Sequence, residues 1–188
     1  NQKKLSMSGT TIQFGSKTND NPKLPNILFG LSGSVASIKI YEIVKGLLTF
    51  ANVRVVATKP ALHFINKDRF SQVAPNVEIL SDEHEWAIFN KIGDPVLHIE
   101  LRKWADLMII APLSANTLAK LAQGLSDNLL TCVARAWNFQ RPFIVAPAMN
   151  THMWDHPFTQ KHLTTLKNEL GFKIIDPVAK KLACGDIG

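Results

Sequence analysis

From Asn26 onward, short apolar runs alternate with stretches in which apolar residues recur every three or four positions. The runs predict strands over residues 27–31, 53–58, 77–80, 107–111, 143–147 and 173–175, because near-continuous aliphatic sequence suits strands buried on both faces. The periodic stretches predict helices over 35–50, 115–121, 128–137 and 159–170, and Gly171 stands where a helix-terminating glycine belongs. Alternating β and α segments of this kind specify an α/β fold. The expectation is one doubly wound domain with a parallel sheet of about six strands. Residues 1–25 are rich in Ser, Thr, Asn, Gln and Lys, with little to bury, and read as a disordered tail ahead of a single domain over 26–188.

Composition narrows the function classes. A chain of 188 residues with 46% hydrophobic and 19% charged content can build one sizeable core. Its apolar runs fall far short of the roughly 18 residues needed to span a bilayer, so no membrane partner is expected. No charged-then-apolar leader opens the chain, which makes the expected location cytoplasmic. Two cysteines, Cys132 and Cys184, cannot form a disulfide framework and suit a reducing compartment. The net charge of +6 divides evenly, with residues 1–25 and 26–188 each carrying half, and no basic run is interleaved with aromatics. Nucleic acid is therefore not indicated, whereas a phosphorylated small molecule suits the mild positive bias.

Ligands of open α/β sheets bind beyond the carboxyl ends of strands, and three such ends carry unusual residues. After the first strand, Gly30-Leu31-Ser32-Gly33-Ser34-Val35-Ala36 opens a helix. Small residues there let backbone N–H groups approach an anion beside the helix N-terminus. The glycine spacing matches neither the dinucleotide fingerprint nor a P-loop, so a phosphate cradle and a ligand-free tight turn fit it equally. After the fourth strand comes Ala111-Pro112-Leu113-Ser114-Ala115-Asn116-Thr117. One helix cap needs one oxygen, from Ser114, yet Asn116 and Thr117 arrive with it and favour a ligand. After the fifth comes Pro147-Ala148-Met149-Asn150-Thr151-His152-Met153-Trp154. Two methionines and a tryptophan around one amide make an apolar wall suited to a flat ligand with a polar edge. His152 and His156 are four apart, but Pro157 argues against a shared helix face and no metal site is expected.

Of the titratable residues, His98 lies between Leu97 and Ile99 on a short helix opened by Asp94 and Pro95. Taken alone, such a histidine is more often a satisfied, partly buried residue than a base. Glu100 is expected to be solvated on the same helix. Cys184 lies among Lys180, Lys181, Gly185 and Gly188. A thiol on a mobile basic loop can donate a proton once the loop closes, or be incidental. Cys132 reads as inert core.

Together, Gly33-Ser34-Val35, Asp94-Pro95-Val96-Leu97-His98-Ile99, Pro112 to Thr117, Pro147 to Trp154 and Ala183-Cys184-Gly185-Asp186 resemble the motifs of the flavin-dependent cysteine decarboxylases, in their order. The resemblance covers about residues 26–188. It implies a flavodoxin-like (Rossmann-like) homotrimer that binds FMN between neighbouring subunits. Gly33, Ser34 and Val35 would hold the phosphate side, with Thr58 and Phe64 flanking the cofactor. Ser114, Asn116 and Thr117 would bond phosphate or ribityl groups, and Ala148 and Met149 would line the isoalloxazine. The resemblance further implies His98 as the active-site base and Asn150, with Met153, as orienting the substrate carboxylate. A flap from about residue 176 would place Ala183 on the substrate and let Cys184 return a proton late in the cycle. His152 and Trp154 are assigned to packing.

The implied reaction is decarboxylation of 4′-phosphopantothenoylcysteine to 4′-phosphopantetheine in coenzyme A biosynthesis. A plain cysteine offers no electron sink for the departing carboxylate; transient oxidation of its thiol carbon to a thioaldehyde supplies one. Two other readings fit the same fold: a non-catalytic regulatory subunit of a protein phosphatase, and a peptidyl-cysteine decarboxylase. Pro60 stands where a small hydroxyl residue is common in the family, so no hydrogen-bonding role is assigned there. Lys103 stands where many members carry arginine, which removes a bidentate contact. The chain ends at Gly188, ahead of the family's Gly-rich continuation, so an incomplete flap is expected.

Overall fold

The computed structural model describes the backbone of residues 3–7 and 10–14, and residues 24–178 with their side chains. Two short strands, β1 (Lys3–Met7) and β2 (Thr10–Phe14), pair antiparallel. This departs from the expectation of a disordered tail. Both segments alternate apolar and polar residues, the period-two pattern of a strand, which their polar composition obscured.

Strands β3 (Asn26–Leu31), β4 (Asn52–Ala57), β5 (Ile79–Leu80), β6 (Leu107–Leu113), β7 (Phe143–Pro147) and β8 (Lys173–Ile174) form one parallel sheet in the order β5-β4-β3-β6-β7-β8. The expected doubly wound sheet is therefore present. Counted along the chain, its strands run 3-2-1-4-5-6, the Rossmann order. Every residue of β3 is buried, and successive side chains enter different cores. Ile27, Phe29 and Leu31 meet Ile40 and Val44 of α1 (Ile40–Leu47) and Phe70 of α3 (Lys67–Val73). Leu28 joins the opposite core, built on Leu97 and Leu101 of α5 (Leu97–Trp104), Leu118 of α6 (Ala115–Gln123), Leu130 of α7 (Leu129–Arg135) and Leu163 of α9 (Pro157–Thr164). Gly30 faces α7 so closely that a Cβ there would lie 2.6 Å from Leu130 Cδ1.

Helices α2 (Lys59–Leu62), α4 (Asp82–Ile88) and α8 (Thr151–Trp154), like α3, escape the sequence pattern because each buries one residue at most, too few to show a period, whereas the seven-residue α7 buries five. The helix expected over 35–50 begins as a 3-10 turn, Val35–Lys39, and only then becomes α1. The last helix ends in a π turn, Thr165–Glu169, ahead of Gly171 at φ 68°. Among the described residues, no helix is long and apolar enough to cross a membrane.

Candidate functional site

The strand order reverses between β3 and β6, and the turns leaving these two parallel strands are tied together by one buried side chain. Ser32 Oγ donates to the Pro112 carbonyl at 2.8 Å and accepts from the Ser114 N–H at 2.7 Å. Its own carbonyl accepts from Ser37 Oγ at 2.9 Å. The neighbouring strand ends join in: Thr58 N–H donates to Leu31 O, and Ala148 N–H to Leu113 O, each at 3.0 Å. The carboxyl ends of β3, β4, β6 and β7 thus form one rim at the switch point, where open sheets bind ligands.

A cavity of about 330 Å³ opens at this rim, bordered by Gly33, Thr58, Pro60, Ser114, Asn116 and Thr117, with Lys120, Asn128 and Met153 further round. Gly33 lies close against Pro60; a Cβ on it would come within 2.6 Å of Pro60 Cβ. Ser114 caps α6 by accepting from Thr117 N–H at 3.3 Å, which turns the positive end of that helix toward the cavity. Thr58 is 6% exposed, and its hydroxyl has no hydrogen-bond partner among the described residues. An unpaired buried hydroxyl beside a cavity points to a bonding group supplied by a ligand. Lys120 and Asn128 were missed in the sequence. Lys120 follows Asn116 by four residues, one helical turn on the same face, and that spacing was the available signal. It also pairs with Asp127 at 2.6 Å, and this bond holds the Asp127 carboxyl below its usual range.

The segment after β7 forms a second wall. Asn150 caps α8, its Oδ1 accepting from Met153 N–H at 2.9 Å. Met153, 46% exposed, borders the first cavity and also an adjoining one of about 480 Å³, which Asn150, His152, His156, Phe158 and His162 share. Trp154 packs against the core as expected, but His152 is exposed, so the packing expectation fails for it. Met149 packs against the core, and its sulfur accepts from the Thr159 hydroxyl at 3.8 Å.

His98 stands apart from both cavities, near the start of α5. Its Nδ1 lies 2.6 Å from Oε1 of Glu85 on α4, and the two side chains are 25% and 14% exposed. Asp94 does not open this helix. It accepts from the N–H groups of Asn90 and Lys91, each at 2.9 Å, and so closes the preceding loop, while Val96 occupies the cap position. Nor is Glu100 solvated; its side chain is 13% exposed and pairs with Lys103 at 2.8 Å. Cys132 is half-buried rather than core. Burial, followed by the carboxylates of Glu85, Asp82 and Asp127, pushes its thiol pKa up. Ala183 and Cys184 lie outside the described residues.

The Flavoprotein family's sequence profile matches residues 15–188. The chain belongs to the Flavoprotein family. A relative from Arabidopsis thaliana, called a probable phosphopantothenoylcysteine decarboxylase, is 58% identical over 164 residues, covering 87% of this chain and 80% of that protein. Among solved structures, a PPC decarboxylase mutant complexed with pantothenoylaminoethenethiol superposes with a TM-score of 0.84 at 54% identity, covering 88% of this chain and 89% of the other. The FMN-binding protein AtHal3 superposes at 0.80 with 55% identity, covering 88% of each chain.

The cavity of this flavoprotein suits the cofactor chemically. A flavin mononucleotide presents a phosphate, a hydroxylated ribityl chain and a flat ring. The α6 N-terminus and Lys120 suit the phosphate, and the hydroxyl and amide groups of Thr58, Ser114, Asn116 and Thr117 suit the chain. Five of the ten expected cofactor residues border the cavity: Gly33, Thr58, Ser114, Asn116 and Thr117. Ser34, Val35, Phe64, Ala148 and Met149 do not. Ser34 instead caps the 3-10 turn, accepting from Ala36 N–H at 3.3 Å.

Proposed function

We infer that the chain is a carboxy-lyase that converts 4′-phosphopantothenoylcysteine to 4′-phosphopantetheine with FMN, a step of coenzyme A biosynthesis. The observation that carries this reading is the switch-point cavity with its unpaired Thr58 hydroxyl, in a chain so similar to decarboxylases of that name. FMN held there would supply a reversible two-electron acceptor for the thiol-bearing carbon, so that no net reductant is consumed. The protein's part is binding, orientation and proton handling. Gly33, Thr58, Ser114, Asn116 and Thr117 hold the cofactor. Asn150 and Met153, on the adjoining wall, orient the substrate carboxylate that departs. His98 takes the proton released as the thiol carbon is oxidised, and Cys184, on a flap carrying Ala183, returns one to the product.

His98 borders neither cavity of a single chain, which supports a homotrimer in which a neighbouring copy brings its histidine to this flavin. A cytoplasmic location fits a chain with two cysteines and no membrane-spanning helix among its described residues. The test pairs a visible absorption spectrum with carbon dioxide release from 4′-phosphopantothenoylcysteine. A flavin spectrum and turnover are expected. A colourless protein that cannot be loaded with FMN sinks the reading. Bound flavin without turnover points to the phosphatase-subunit alternative, and release only from a peptide with C-terminal cysteine points to the peptidyl one.

A further inference from the structure

Glu85 is buried for a carboxylate, and nothing in the cofactor cavity requires it. One oxygen lies 2.6 Å from His98 Nδ1; the other, Oε2, is buried without a hydrogen-bond partner among the described residues. A half-satisfied buried carboxylate is costly unless a positive charge or a strong donor faces it. The helix that carries it is pinned at its start. Ser81 and His84 form a capping box there, and Asp82 Oδ1 accepts from Leu129 N–H of α7 at 2.7 Å. Glu85 follows Asp82 by one turn, so its carboxylate is held by a fixed helix.

We propose that Glu85 is the positioning residue of the proton-transfer step, holding His98 with Nδ1–H donated to the carboxylate and Nε2 free to accept a proton. This deepens the reading of His98 as the base and rests on it. An imidazole bonded in this way has one tautomer, and the imidazolium formed when Nε2 takes a proton is stabilised by the adjacent carboxylate. Beyond the effect of burial, the Glu85 carboxylate lies close enough to the Cys132 thiol of α7 to raise its pKa, together with Asp82 and Asp127.

The test uses the FMN-loaded, full-length protein, with E85Q and H98N alone and combined. Nitrogen NMR of the histidine rings in the wild type should show neutral His98 protonated at Nδ1, with E85Q shifting it toward the Nε2–H form. E85Q should keep its flavin and hold KM within about threefold while kcat falls about 10- to 100-fold. The double variant should be no slower than H98N, because Glu85 acts only through His98. Wild-type His98 protonated at Nε2 overturns the proposal even if E85Q does not fold, and so does E85Q with unchanged kcat. The two readings separate in H98N. Full turnover there removes His98 itself, whereas an inactive H98N beside a normal E85Q removes only the role of Glu85.

Discussion

Replacing Ser32 by alanine tests how the switch point is assembled. The residue is fully buried, and its Oγ is both donor to Pro112 O and acceptor from Ser114 N–H. Truncation leaves the Ser114 N–H without its acceptor, costing about 1–3 kcal/mol for an unmet, partly buried donor. It also removes one donor at Pro112 O, which still accepts from the Ser32 N–H at 3.3 Å. That second loss is worth about 0.5–1.5 kcal/mol, so Ser32→Ala should destabilise the protein by about 1.5–4.5 kcal/mol. Ser114→Ala is the control. It removes a helix cap whose bond is long at 3.3 Å, worth about 0.5–1 kcal/mol. Urea unfolding of both apoproteins at one protein concentration measures the difference, and fluorescence titration measures FMN affinity. Ser32→Ala should lose more stability than Ser114→Ala. It should also weaken FMN about tenfold or more, although its own side chain is not on the cavity wall. A Ser32→Ala protein within about 0.5 kcal/mol of wild type would refute the account.

Gly33→Ala should cut the flavin content of purified protein severalfold, because its Cβ would meet Pro60 at 2.6 Å; Gly46→Ala, in α1 with nothing within 4 Å, should instead stabilise by about 0.5–1 kcal/mol in thermal unfolding. The Cys132 thiol, raised by burial and nearby carboxylates, should react with a disulfide reagent at neutral pH about tenfold more slowly than free cysteine, followed by mass spectrometry; an equal rate would contradict its placement. Acid should weaken the fold through Glu83, held down first by the Ser81 hydroxyl, and Asp94, held down by the N–H groups of Asn90 and Lys91. Their folded values lie below the ordinary 4.5 and 3.8, so their contribution is present above those values and lost as pH falls through the lower folded ones. Urea midpoints measured across that range should drop, and Asp94→Asn should flatten part of the slope.

The sequence by itself determined the layer architecture. Buried parallel strands must be apolar throughout, and the helices that cover them must repeat every three or four residues, so both leave unambiguous patterns. It also marked the rim, because the hydroxyl and amide residues after β6 exceed what a helix cap requires. Helices α2 to α4 and α8 were not legible, since each buries one residue at most and so shows no apolar period. Tertiary structure alone decided the rest. Only the pairing of β3 with β6 brings Ser32 to Ser114, 82 positions away, and closes the cavity between them. Only the packing of α4 beside α5 places Glu85 on His98, where the sequence showed an acid and a histidine 13 residues apart with no shared periodicity. Distances between elements are set by how buried faces fit together, and that fit is a property of the whole core rather than of any segment of the chain.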